Sequence, residues 1–316
     1  MPPIQTKPYY AAGLAAFIIW GFIPIPLKAL AEYSSAQILF YRIAFSVLLL
    51  LLVSGIFRRK ELLATWRQVI ASSAKEKRSF LLYTLLGGLL LTVNWLAFIY
   101  VVNHISIQVG SFSYLLCPIL TAMLGFLLLK EKLRLNQWLA IGISAVSCVM
   151  IGSGEMVSLL FSLLVGLTYA LYLITQRILK GYDKIVLLTL QLLLSFALIA
   201  PMYAYLSDTA AVPVDARFFG VVAILSAGFT VLPLFLNLFA LKELTSGTVG
   251  IMMYINPVIN FLVAFLYYNE QTTLAKSVAY LLIFISVIIY NLHLKGRKKR
   301  GNGLVIPAVG TNAVLK

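Results

Sequence analysis

Two cations stand inside apolar runs of this chain. Lys28 lies near the far end of the first run, and Arg42 about two turns into the second. A charge in hydrocarbon is costly, so such residues pair, reach an interface or mark a solute path. Two readings are open. Lys28 can snorkel to water while Arg42 bonds backbone carbonyls. Alternatively, both attract a carboxylate or other anionic group, on a site wall or at a gate.

The acids offer no counterpart. All ten acidic residues fall at the ends of apolar runs or between them, and His104 and His293 are expected at opposite membrane faces. No embedded acid pair, nucleophile–base pair or metal cluster is available, which argues against an enzyme. It also argues against a carboxylate proton relay in the core. Cys117 and Cys148 lie inside apolar runs, giving no disulfide framework and no metal motif. No cofactor or metal is expected.

Amides and aromatics gather in stripes. Asn94, Trp95 and Phe98 share a helical face; Ser111, Tyr114 and Pro118 follow at three and four; Tyr169, Tyr172 and Gln176 and then Thr230, Pro233 and Asn237 repeat the pattern; Asn256 and Asn260 are four apart. An amide facing lipid without a partner costs about 2–7 kcal/mol, so these stripes point inward, to neighbouring helices or to a ligand. Trp20, Trp95, Tyr114 and Tyr254 can wall a site or pack. Prolines Pro24, Pro118, Pro233 and Pro257 each free the carbonyl four residues earlier. They are expected to kink helices that bend when a cavity opens.

These residues need elements to hold them. Of 316 residues 61% are hydrophobic and 11% charged, with mean hydropathy +0.97. That composition predicts an all-α polytopic membrane protein, since continuous apolar runs rule out an alternating barrel. Ten spans are expected, at 9–31, 34–55, 78–102, 106–129, 134–152, 155–177, 184–206, 217–241, 245–267 and 273–294. The first is too long for a signal-peptide core and is expected to stay. Of the 25 basic residues, 21 fall on one side if the N-terminus is inside, two in the outer loops and two within spans. This bias predicts both termini in the cytoplasm. The net charge of +15 is thus read as topology rather than nucleic-acid binding.

One design occurs twice. YLLCPILTAMLGFLLLKE runs from Tyr114 to Glu131 and YINPVINFLVAFLYYNE from Tyr254 to Glu270, with Pro118–Glu131 and Pro257–Glu270 equally spaced. In that register Phe126 and Leu127 fall on Phe265 and Leu266. Five spans per copy make the second copy enter upside down, the architecture of many secondary transporters. The expected divisions are 1–153, an inverted second half at 154–294, and a basic cytoplasmic tail at 295–316. Glu131 and Glu270, just past their helices, are either locally charge-paired or gate contacts. Ala140, Ser144 and Cys148 form a small-residue ridge for close helix packing, with a partner subunit as one option.

AAFIIWGFIPIPLK, ILFYRIAFS, NWLAFIYVVN, the Pro118-to-Glu131 helix and PLFLNLFALKELTSGTVGIMMYINPVINF together resemble the EamA family of the drug/metabolite transporter superfamily, and most of all its RarD-type permeases. The resemblance covers roughly residues 9 to 294. Trp20, Gly21, Lys28, Arg42 and Asn94-Trp95 are its more specific parts. Cys117 stands where the pattern commonly has asparagine before proline; Asn256 keeps it in the second copy. The resemblance implies ten helices in two inverted repeats and alternating-access movement of small metabolites across a bacterial inner membrane.

The expected function is a secondary transporter of small amphipathic metabolites, amino acid-like and zwitterionic or anionic, or drugs, in the efflux direction. The alternative is a facilitator or importer of a vitamin, nucleoside or similar metabolite on the same fold. The expected substrate-binding residues are Trp20, Lys28, Arg42, Asn94, Trp95, Tyr114, Tyr169, Asn237, Tyr254 and Asn256. Pro24, Pro118, Pro233 and Pro257 are the expected gating kinks. Expected partners are the small-molecule substrate and membrane lipids, with no nucleic acid, in a monomer or homodimer.

Overall fold

In a computed structural model the elements are all helices, and no strand occurs, among the described residues, 7–130, 133–179, 181–203, 214–240, 243–244 and 252–291. The helices are α1 (Lys7–Gly21), α2 (Pro24–Lys28), α3 (Ser35–Ile56), α4 (Arg59–Ala71), α5 (Ala74–Tyr100), α6 (Ile107–Leu129), α7 (Leu135–Gly154), α8 (Met156–Ile178), α9 (Lys184–Ile199), α10 (Ala216–Ser226), α11 (Leu232–Ala240), α12 (Ile255–Leu262) and α13 (Leu274–Asn291). Seven helical stretches are long and apolar enough to cross a membrane, and three shorter ones are apolar: Leu135–Ile151, Lys184–Ile199 and Ile255–Tyr267. Glu131, Lys132, Lys180, Asp208, Lys242, His293 and the tail at 295–316 lie outside the described residues.

Polarity runs opposite to that of a water-soluble chain. Leu48, Leu52, Leu82, Val149, Leu160, Leu281 and Ile288 are exposed, while Ser46, Asn94, Ser111, Gln191, Ser226 and Asn260 are buried. Lipid is the solvent that suits such a surface, and polar side chains turn inward toward one another and the backbone. Helix ends are set by short polar side chains. Ser34 and Gln37 close a capping box on α3, Ser73 and Glu76 another on α5, and Asp183 and Asp215 cap α9 and α10.

Three helices loosen into π turns, at Val101–Ile105 after α5, Ala227–Val231 between α10 and α11, and Val263–Tyr267 after α12. The first expected span is broken: α1 ends at Gly21, and Pro24 and Pro26 open α2 after a turn. Pro257 is not a mid-helix kink either. It sits in the first turn of α12, where its missing N–H costs nothing. Pro118 does lie inside α6. The basic segment between the second and third runs, expected as a connection, contains α4, an amphipathic helix.

The bundle packs α6 and α5 on α8, α3 and α5 on α9, α1 on α11 and α12, α3 on α10, α6 on α12, and α7 on α13. The α7 ridge is used within the chain. Ala140 and Ser144 are buried, the Ser144 and Ser286 hydroxyls are 2.9 Å apart, and Ser147 donates to the carbonyl of Ala279 at 2.7 Å. At one end of the bundle lie Glu32, Glu155, Asp215, Glu270 and Lys276, called here the Glu270 end; at the other, the Lys184 end, lie Arg58, Asp183 and Lys184.

Candidate functional site

A cavity of about 320 Å3 lies between the halves. Trp20, Arg42, Trp95, Tyr114, Tyr169, Asn237, Tyr254 and Asn256 line it, eight of the ten residues singled out as substrate-binding. Lys28 and Asn94 are not in the lining. Lys28 ends α2, and Asn94, fully buried, donates to the carbonyl of Val165 at 2.8 Å and to the Thr168 hydroxyl at 3.2 Å. Asn94 thus ties α5 to α8 behind the wall, and its neighbour Trp95, a turn of about 100° further round the helix, faces the cavity. Of the four gating prolines only Pro257 reaches the lining.

Arg42 is 3% exposed. Its guanidinium lies 4.2 Å from the Trp95 ring centroid, in cation–π range. Nε and one terminal nitrogen donate to the Thr230 hydroxyl at 3.3 and 3.2 Å. That hydroxyl donates in turn to the carbonyl of Leu225 at 3.1 Å, five residues back, which fits the π turn around it. No carboxylate pairs Arg42 among the described residues.

Trp20 is held by a proline. Pro233 frees the carbonyl of Phe229, and the Trp20 indole N–H donates to that carbonyl at 3.0 Å. The freed backbone oxygen thereby fixes an aromatic wall from the opposite end of the sequence.

The remaining polar groups differ in what they leave open. Asn237 Oδ1 is buried without a partner among the described residues. Asn256 accepts from Asn260 at 3.1 Å, and Tyr254 accepts from Asn291 at 3.3 Å. Tyr169 lies edge-on to Tyr114, 5.7 Å between centroids, and beside Tyr172.

The lining extends along α8 to Gln176 and along α9 to Lys184, whose ammonium donates to the carbonyls of Gln176 and Leu179. The Glu270 end is fastened between the halves. Arg217 pairs with Glu32 at 2.8 Å, Tyr33 donates to Asp215 at 3.0 Å, and the Glu270 carboxylate accepts the N–H groups of Ile107 and Gln108. Glu270 is therefore a contact across the halves rather than a local ion pair. Among the described residues the lining reaches the Lys184 end, and these contacts join the halves at the other.

Thr230, Tyr172, Gln176, Lys184 and Phe229 also line the site. Thr230, Tyr172 and Gln176 stand on the polar stripes of the sequence, which signalled them. Lys184 reads in sequence only as a charge at a span end.

The model of the EamA-like transporter family matches this chain twice, at residues 7–153 and 156–292. The chain belongs to that family. A protein of Vibrio cholerae serotype O1 named "Uncharacterized transporter" is 28% identical over 89% of this chain and 90% of its own length. The protein named "Protein RarD" of Salmonella typhi is 28% identical over 90% of this chain and 95% of its own. A solved crystal structure superposes with a TM-score of 0.61 over 90% of this chain and 98% of that one, at 15% identity, a likeness of fold. The chain is an EamA/RarD-type permease, a multi-pass membrane protein with several apolar helices.

Proposed function

We propose that this permease is a secondary carrier, exporting small amphipathic metabolites with an anionic or zwitterionic head across a bacterial inner membrane. Arg42 carries the reading. A buried guanidinium without a carboxylate partner is costly, and a substrate anion offsets that cost within a preformed aromatic wall. Trp95 and Thr230 fix its orientation. Asn237 offers a hydrogen-bonding group, and Trp20, Tyr169 and Tyr254 offer apolar or stacking walls.

Ten crossings in two inverted halves, 1–153 and 154–294, give the carrier its motion. The pattern of packing supports this arrangement. Exchanging each helix with its counterpart in the other half turns α5 on α8 into α10–α11 on α1, α6 on α8 into α12 on α1, and α5 on α9 into α10 on α3. The pairs α3–α9, α6–α12 and α7–α13 map onto themselves. Contacts between the halves thus come in exchangeable sets. With both termini cytoplasmic, the Lys184 end, which the cavity lining reaches, faces the cytoplasm, where an exporter loads. Rocking the halves breaks the Glu270, Arg217 and Asp215 contacts and opens the other side.

The aromatic share of the lining favours a second reading, a facilitator of a flat neutral metabolite such as a vitamin or nucleoside. A ligand panel read by thermal stabilisation of the purified protein separates the two. Anionic and zwitterionic compounds are expected to raise the unfolding temperature, and Arg42→Ala to remove that rise. Stabilisation by neutral aromatics alone, unchanged in Arg42→Ala, would overturn the anion reading. Counterflow in vesicles with and without a pH gradient then reads the coupling.

A further inference from the structure

A second cavity, of about 510 Å3, lies away from the carrier site, between α4, α5 and α9. Its walls are almost wholly apolar: Leu62, Trp66 and Val69 of α4, Phe80 and Leu81 of α5, and Leu190 of α9 are among them. The α9 wall runs from Val186 to Ala197, roughly 16 Å at helical rise. That is about the depth of one leaflet of a ~30 Å hydrocarbon core. Two threonines, Thr65 and Thr84, interrupt this lining. Thr84 is 2% exposed, and its hydroxyl has no hydrogen-bond partner among the described residues.

Charge is gathered at the same end. Arg59, Lys60, Arg67, Lys75, Lys77 and Arg78 are exposed, and none is ion-paired among the described residues. The two nearby acids are engaged elsewhere, Glu61 with Arg58 at 3.8 Å and Glu76 with the backbone and hydroxyl of Ser73. Lys77, Leu81 and Thr84 follow at spacings of four and three, so one face of α5 carries a cation, an apolar surface and a hydroxyl in descending order. Trp66, 64% exposed, stands at the rim, where an amphipathic ring suits the headgroup level.

We propose that the groove between α4, α5 and α9 binds one anionic phospholipid, its acyl chain along α9, its phosphate by Lys77, and an ester carbonyl accepting from Thr84. The apolar trough fits the chain, the unopposed cations fit the phosphate, and the orphan hydroxyl fits the ester between them. This rests on the chain spanning a membrane and not on any reading of the carrier's substrate.

The test is thermal unfolding of the purified protein with dioctanoyl phosphatidylglycerol, dioctanoyl phosphatidylcholine or inorganic phosphate at equal concentrations. The glycerol lipid is expected to raise the unfolding temperature by about 5 °C and the other two by less than about 1 °C. Lys77→Gln, at an exposed position, should remove most of that rise without changing the lipid-free value. Leu81→Trp, which fills the groove, should abolish it. Thr84→Val, which keeps the shape, should reduce it by about half. Equal shifts from both lipids, a full shift from phosphate alone, or a full shift retained in Leu81→Trp would each overturn the proposal.

Discussion

The Glu270 carboxylate accepts the backbone N–H of Ile107 at 2.8 Å, joining segments 163 residues apart. It also accepts the N–H of Gln108 at 3.2 Å, while Ser106 Oγ takes that of Val109 and the Ser106 carbonyl that of Gly110. Three of the four N–H groups that a helix start leaves bare, those of Ile107, Gln108 and Val109, are thus met at α6, two of them from the other half of the chain. A carboxylate there also faces the positive end of the helix dipole. Glu270→Ala is expected to destabilise the closed form by about 1–2 kcal/mol, and Glu270→Gln by roughly half as much. Thermal unfolding in detergent checks this order; equal effects of the two changes would argue against a role for charge.

Arg42 should not be replaceable by lysine. A charge-assisted hydrogen bond to an anionic ligand is worth about 1.5–3 kcal/mol, so Arg42→Ala should weaken an anionic ligand's binding roughly ten- to hundredfold. Arg42→Lys keeps the charge but loses the planar stack on Trp95, and most of that loss should persist. Titration calorimetry with a ligand from the stabilisation panel provides the comparison.

Two glycines divide structure from tolerance. A Cβ on Gly88 would meet the carbonyl oxygen of Gln191 at 2.6 Å, a backbone atom that cannot step aside. Gly88→Ala should push α5 from α9 and cost about 1–3 kcal/mol. Gly142→Ala meets nothing within 4 Å and should leave unfolding unchanged. Paired melting curves test both.

Acid should loosen the Glu270 end through Asp215, which lies outside the spans. The Phe218 N–H, then the Tyr33 hydroxyl, hold its carboxyl below the usual aspartate range. The folded form therefore favours the ionised group. Its stabilisation is present above the ordinary aspartate value and is lost as pH falls through the lowered one. Asp215→Asn should be the less stable protein at pH 6, with the gap closing toward pH 3. A constant gap across that range would remove Asp215 from the acid response.

Much of this was legible in sequence because hydrocarbon forbids bare polar groups. Apolar length located the helices, and the stripes through Trp95, Tyr114, Tyr169 and Asn237 named part of the polar and aromatic cavity wall. What sequence hid was direction and exchange. Asn94 and Trp95 are neighbours with opposite allegiances, and only the packed α8 decides which side each serves. Pro233 was visible as a freed carbonyl, but not that Trp20 would take it. The segment carrying α4 was read by its charge, although Leu62, Thr65, Trp66 and Val69 already mark an amphipathic face. The π turns left no periodic trace, since each adds a single residue to an otherwise regular run.

Those three π turns give the bundle a property that straight α-helices lack. Each holds a spare residue, and a spare can migrate along its helix by trading backbone partners one at a time. A rod built this way advances by about 1.5 Å, turning as it goes, without unwinding in lipid. The stretch bearing Thr230 is such a rod, so sliding it would swing the hydroxyl away from Arg42 and release the guanidinium while its helix stays whole.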